Sequence, residues 1–242
     1  IPDQQIFIKD VSVTLRRLDL VHPQISGNKF FKLKYNFLEA QRQGYQHILS
    51  FGGAYSNHIA ATAFAAQHFG FKSVGIIRGE ELAGRPLNPT LATAQKFGMQ
   101  LHFVSRKDYR RKQQPEFLTE LQQQFPDHYV IPEGGTNALA IQGCQEILKE
   151  DDTQFDVICC AAGTGGTITG LIEASQAHQQ VLGFSALKGS FLKDEVARLT
   201  SKTNWNILDD YCCGGYAKTS LELMQFIQEF ESRFSIPLEQ VY

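Results

Sequence analysis

The run Val157-Ile158-Cys159-Cys160-Ala161-Ala162-Gly163-Thr164-Gly165-Gly166-Thr167-Ile168-Thr169-Gly170 decides the fold. Its first five residues are apolar without a break, the pattern of a strand buried in a sheet. A glycine-rich turn follows, and then a helical pattern. Working outward, the same order recurs along the chain. Strand-like runs are expected at 47–51, 73–78, 100–104, 129–131, 157–161, 181–184 and 205–208. Helical patterns are expected at 59–69, 90–97, 115–125, 138–149, 168–177, 191–199 and 220–230. A further helix holds Phe30, Leu33, Phe37 and Ala40 at helical spacing. Gly44, Gly70 and Gly98 stand where helices end. Strand–helix alternation predicts an α/β fold of parallel sheet with crossover helices. The stretch 106–114 is basic and polar and reads as a solvated loop or a helix start.

The 242 residues are 43% hydrophobic and 20% charged, room for one large domain or two smaller ones. A net charge of −2 offers no field for nucleic acid or an anionic membrane. No apolar run approaches the about eighteen residues of a membrane span, and no signal peptide is expected. The cytoplasm is the expected compartment. The five cysteines include two adjacent pairs and no CxxC. They read as buried thiols, with neither disulfides nor metal ligation expected. The seven histidines show no metal spacing, so no metal is expected. The chain begins at Ile1 without methionine and stops at Tyr242, which reads as a trimmed chain or a fragment. No Pro/Gly linker separates consecutive domains. The expectation is a large domain from 1–37 and 151–242 and a small one from 38–150, with the chain returning at Glu150-Asp151-Asp152.

Three loops carry chemistry, all at carboxyl ends of strands, where open α/β sheets bind ligands. The Gly163, Thr164, Gly165, Gly166 and Thr167 loop lets backbone N–H groups converge at a helix N-terminus, a site for phosphate. A tight turn without ligand competes with that reading. A dinucleotide competes too, but calls for an acidic residue about twenty positions on. Val181-Leu182-Gly183-Phe184-Ser185-Ala186 holds none, and there is no Walker lysine. In Gly52-Gly53-Ala54-Tyr55-Ser56-Asn57-His58 the Ser-Asn pair opens a helix. A purely structural cap is the common meaning of such a pair. Its functional meaning is an Asn57 amide on a cofactor oxygen, with Ser56 on the substrate carboxylate or relaying a proton. His58 is the one histidine singled out. In Ser26-Gly27-Asn28-Lys29-Phe30-Phe31-Lys32 a glycine turn delivers Lys29 to a helix start, with Lys32 one turn on. Most lysines are merely solvated. A nucleophilic one needs desolvation or nearby positive charge, and Lys32 can supply that charge or contact a phosphate. A lysine amine, a polar Ser-Asn loop and an anion nest are what an aldehyde cofactor with a phosphate requires, so pyridoxal 5′-phosphate is the expected cofactor.

Together these stretches resemble the 1-aminocyclopropane-1-carboxylate (ACC) deaminase and D-cysteine desulfhydrase family of fold type II pyridoxal-phosphate enzymes. The resemblance covers about residue 15 to Tyr242. It also draws on Val130-Ile131-Pro132-Glu133-Gly134-Gly135-Thr136-Asn137-Ala138 and on Asp209-Asp210-Tyr211 with Gly215-Tyr216. It implies two open parallel-sheet domains with helices on both faces and the cofactor site in the cleft between them. It makes Lys29 the lysine that joins the cofactor aldehyde, Lys32 a neighbour of the phosphate and Asn57 the partner of the cofactor's 3′ oxygen. The loop from Gly163 to Thr167 becomes the phosphate cradle. Ser56, Asn57, His58 and Tyr216 fall on the substrate side, and Tyr242 matches an active-site tyrosine. It also implies a homodimer.

Two departures accompany the match. Tyr55 replaces a frequent glutamine. The family continues past the matched tyrosine into a strand carrying the partner of the pyridine nitrogen, which this chain does not show. The expected substrate is a small amino acid. Elimination from D-cysteine to a 2-oxo acid and ammonia is preferred slightly over ACC ring opening. A pyridoxal-phosphate-binding protein without turnover and a nucleotide-binding module are the rival readings.

Overall fold

A computed structural model describes residues 1–240. The chain divides into two compact units, Leu18–Gly143 and Ile1–Arg17 with Cys144–Tyr242. The expected domain limits of 37 and 150 thus differ from the observed grouping at both ends. Residues 18–37 group with the segment that follows them because the first helix packs its apolar face on that segment's sheet.

The N-terminal segment pairs β1 (Asp3–Ile8) with β2 (Val11–Arg16) as an antiparallel hairpin. The sequence reading gave no strand there. Lys9 turns the chain at a positive φ of 53°, a position where glycine or asparagine is the usual signal, so the hairpin is silent in the sequence.

Unit 18–143 is built on β3 (His47–Gly52), β4 (Lys72–Arg78), β5 (Met99–Val104) and β6 (His128–Ile131). The sheet order is β5-β4-β3-β6 and every pair is parallel. Its helices are α1 (Asn28–Arg42), α2 (Asn57–His68), α3 (Pro89–Lys96), the single turn α4 (Arg106–Tyr109), α5 (Pro115–Gln124) and α6 (Ala138–Gln145). Alternate residues of β3 point to opposite faces, as the period of a strand demands. Ile48 packs with Leu33, Phe37 and Ala40 of α1 and with Ala61 and Ala65 of α2. Leu49 and Phe51 pack with Phe117 and Leu121 of α5. On β4, Ile77 joins Ile59, Leu91 and Ala94, while Val74 and Ile76 join the α5 cluster. Each such fully buried aliphatic side chain contributes about 1.5–3 kcal/mol. Helices therefore cover both faces of a parallel sheet, as expected.

The other unit carries β7 (Val157–Ala162), β8 (Gln180–Ser185) and β9 (Trp205–Leu208), parallel and in that order, with α7 (Gly166–Ala174), α8 (Phe191–Ala197) and α9 (Leu221–Phe234). All seven parallel strands lie within one residue of their expected ends. Helix ends are less regular. The α6 helix stops at Gln145, short of the expected 149, because Ile147 and Leu148 bond back to the residues three before them. The α7 helix stops where Ser175 turns extended and its hydroxyl donates to the Ile172 carbonyl.

The reading of the cysteines as buried thiols needs correction. Cys144 is buried, but Cys159 and Cys213 are exposed. β7 is an edge strand whose residues alternate, so Val157, Cys159 and Ala161 lie exposed. An unbroken apolar run does not by itself reveal that one face is uncovered.

Candidate active site

The α1 helix starts directly after Gly27, whose φ of 68° makes the turn. Its buried stripe follows the helical period but is not wholly apolar. Lys29, Lys32 and Asn36 share it with Leu33, Phe37 and Ala40. Lys29 is 9% exposed and Lys32 only 1%. Lysines are almost never buried without a reason, and here two lie one turn apart. The Lys32 ammonium donates to Thr136 Oγ1 at 2.8 Å. The Lys29 amine reaches Asn28 Oδ1 at 3.3 Å. Asn36 donates to the Lys32 carbonyl at 2.8 Å and exchanges amide hydrogen bonds with Asn137.

The α2 helix starts at Asn57 with Ser56 as its cap, the serine Oγ accepting from the Ile59 N–H at 3.3 Å. His58 follows and is buried, 2% exposed. Its Nε2 lies 2.8 Å from Ser50 Oγ, and Ser50 donates to the Ile131 carbonyl at 2.9 Å. Burial first, then the positive charges of Lys29 and Lys32, hold the His58 pKa well below the ordinary histidine value. The imidazole is therefore uncharged around neutrality. Within this unit the structure brings Lys29, Lys32 and His58 together, with Ser56 and Asn57 at the head of the helix that carries His58.

The other unit holds the glycine loop. Gly165 caps α7 in the left-handed region, φ 79°, and as a glycine supplies no side chain to the helix's first N–H groups. Gly165, Gly166 and Thr167 are buried, Gly163 is half-buried and Thr164 exposed. A helix N-terminus whose cap offers no oxygen has the donor chemistry of a phosphate site. Tyr216 is half-buried in the turns after β9. Tyr242 lies outside the described residues.

Four residues of the lysine cluster carry no role in the sequence reading: Ser50, Asn36, Thr136 and Asn137. The only signal for the last two was the Gly134-Gly135-Thr136-Asn137 run directly after a strand. The residues present fit pyridoxal phosphate. A desolvated amine beside a second cation suits the aldehyde, and an uncapped glycine-rich helix start suits the phosphate.

Comparison with known proteins agrees with the motif resemblance. A family model described as pyridoxal-phosphate dependent enzyme matches residues 9–241. A Thermotoga maritima protein provisionally named a 1-aminocyclopropane-1-carboxylate deaminase is 32% identical, over 96% of this chain and 80% of its own length. A mitochondrial protein of Arabidopsis thaliana, named bifunctional D-cysteine desulfhydrase/1-aminocyclopropane-1-carboxylate deaminase, is 28% identical over 94% of this chain and 64% of its own. Among solved structures, an ACC deaminase homologue matches with a TM-score of 0.81 and 28% identity, over 96% of this chain and 76% of that one. The chain belongs to the family of pyridoxal-phosphate dependent enzymes.

Proposed function

We propose that this enzyme releases ammonia and a 2-oxo acid from a small amino acid, and that D-cysteine is the preferred substrate. One observation carries the reading: two lysines, Lys29 and Lys32, are buried one turn apart on the stripe of α1. When bound, pyridoxal phosphate supplies the electron sink for the pair left at the substrate's α-carbon. Lys29 Nζ would hold the cofactor aldehyde, and its free amine would serve as the base at the substrate's α-carbon. Lys32 keeps positive charge near that amine. The Asn57 amide binds the cofactor's 3′ oxygen. Ser56 and the start of α2 bind the substrate carboxylate, with Tyr216 and Tyr242 on the substrate side. The N–H groups and hydroxyls of Gly163–Thr167 take the phosphate. With D-cysteine and one water the products are pyruvate, ammonia and hydrogen sulfide.

ACC ring opening is the second reading, supported by the names of the Thermotoga relative and of the solved homologue. ACC and one water yield 2-oxobutanoate and ammonia. The two activities separate in one assay of D-cysteine, L-cysteine and ACC, read for sulfide, pyruvate and 2-oxobutanoate. The purified protein is expected to show a visible cofactor absorbance that Lys29→Ala abolishes. A colourless protein that gains no band with added pyridoxal phosphate rejects the proposal. A coloured protein that turns over none of the three substrates leaves binding without the proposed catalysis. A homodimer in the cytoplasm completes the proposal, with light scattering as the check on assembly. Among the described residues no helix is long and apolar enough to cross a membrane.

A further inference from the structure

The hydrogen bonds around His58 fix more than its burial. A serine hydroxyl has one hydrogen, and Ser50 gives it to the Ile131 carbonyl at 2.9 Å. At the 2.8 Å contact with His58 Nε2, Ser50 therefore accepts and the imidazole donates. An uncharged imidazole carries one N–H. That proton stands on Nε2, and Nδ1 is a bare lone pair. Among the described residues this Nδ1 is buried with no hydrogen-bond partner. An unsatisfied buried acceptor is destabilising, so its persistence needs a reason.

The residue that backs the ring on this side, Gly135, carries no side chain. A Cβ on Gly135 would lie 3.1 Å from His58 Cε1 and 3.5 Å from Nδ1. Gly135 has a φ of 73°, which disfavours any side chain there. The charged groups that bear on the ring are Lys29 and Lys32. The Lys32 ammonium is directed to Thr136 at 2.8 Å. The Lys29 amine has a longer contact, 3.3 Å, to the adjacent Asn28.

We propose that His58 is a positioning residue for Lys29: the Ile131 carbonyl and Ser50 lock the Nε2–H tautomer, and the Nδ1 lone pair accepts an N–H of the Lys29 amine whenever that amine is released. This rests on the reading of Lys29 as the cofactor lysine. The bond transfers no proton. It holds the freed amine in one direction, where it can act at the α-carbon and recapture the aldehyde.

The test uses the holoprotein labelled with ¹⁵N-histidine, followed by long-range ¹H–¹⁵N NMR before and after hydroxylamine, with visible absorbance recorded on the same sample. Hydroxylamine takes the aldehyde and frees Lys29. The expected results are the Nε2–H tautomer throughout, and a shift of the Nδ1 resonance toward the hydrogen-bonded range as the cofactor band disappears. The shift should be absent in Lys29→Met and kept in Lys32→Met. Ser50→Ala should give a mixture of tautomers that Ser50→Thr restores to one. An Nδ1–H tautomer in the unmodified protein, an unmoved Nδ1 after the band is lost, or a shift that survives Lys29→Met overturns this inference alone. A wild-type protein with no hydroxylamine-sensitive band overturns the cofactor reading, and this inference falls with it. The wild-type measurements decide the matter even where a variant fails to fold.

Discussion

Asn36 of α1 and Asn137 at the head of α6 face each other as a reciprocal amide pair, bonded at 2.7 and 3.2 Å. Each member also serves the backbone. Asn36 donates to the Lys32 carbonyl, and Asn137 Oδ1 accepts from the Ala140 N–H. The pair thus ties the turn that carries Lys32 to the start of another helix.

Replacing Asn36 by leucine keeps the branching of the side chain but leaves the Asn137 amide facing an apolar group. A buried polar group stripped of its partner costs about 1–3 kcal/mol. The expected outcome is a loss of that order in urea unfolding at unchanged m-value, with weaker cofactor binding because α1 is less firmly held. Unchanged stability would show that the amide pair is not needed to hold α1.

Gly143 lies on α6 where a side chain has no room. A Cβ there would sit 2.0 Å from the Phe31 carbonyl oxygen on α1. Backbone cannot rotate aside as a long side chain can, so Gly143→Ala must push the two helices apart. Overpacking of this kind costs about 1–3 kcal/mol and sometimes more. Gly84, which has nothing within 4 Å of an added Cβ, is the control. Thermal melts should show a marked fall for Gly143→Ala and little change for Gly84→Ala. Equal melting temperatures would contradict the close approach.

Arg16 of β2 joins three carboxylate and carbonyl partners. It contacts Asp3 at 2.8 Å, Asp152 at 2.5 and 2.8 Å, and the Ile147 carbonyl at 2.6 Å. Asp152 is buried, so removing the guanidinium leaves a carboxylate with little water to replace it. Breaking a buried pair from one side costs about 3–5 kcal/mol. Asp3 is more exposed, so its share of the loss is small. Arg16→Met is therefore expected to destabilise far more than Asp3→Asn. Denaturant melts of both variants test the order, and a reversed order would mean that Asp152 is not the partner that matters.

The sequence made part of this legible. Apolar runs marked all seven parallel strands, and glycine punctuation drew attention to Lys29, Ser56-Asn57 and the Gly163–Thr167 loop. The supporting contacts were not legible because their partners are distant along the chain. Lys32 and Thr136 are 104 positions apart, Asn36 and Asn137 are 101, and Ser50 and Ile131 are 81. No local pattern encodes such pairs. They exist only once β3 and β6 lie side by side. The hairpin β1–β2 was missed for the opposite reason, a local turn at Lys9 made without its usual residues.

His58 gives the stability a pH dependence of definite sign. In the unfolded chain a histidine takes a proton below about pH 6.5. In the folded protein, burial and then the Lys29 and Lys32 charges hold its pKa well below that value. The unfolded state therefore binds more protons as the solution is acidified, and the stability present above pH ~6.5 is lost as pH falls toward the folded pKa. The limiting slope for one such group is about 1.4 kcal/mol per pH unit. His102 is also lowered, by desolvation, and adds to the slope in the same sense. The contribution of His58 is isolated by comparing the wild type with His58→Gln in urea melts between about pH 7 and about pH 5. The variant should be less stable at neutral pH but lose less stability on acidification. Parallel pH curves for the two proteins would mean that His58 is protonated alike in the folded and unfolded states, against its burial and the charges of the two lysines.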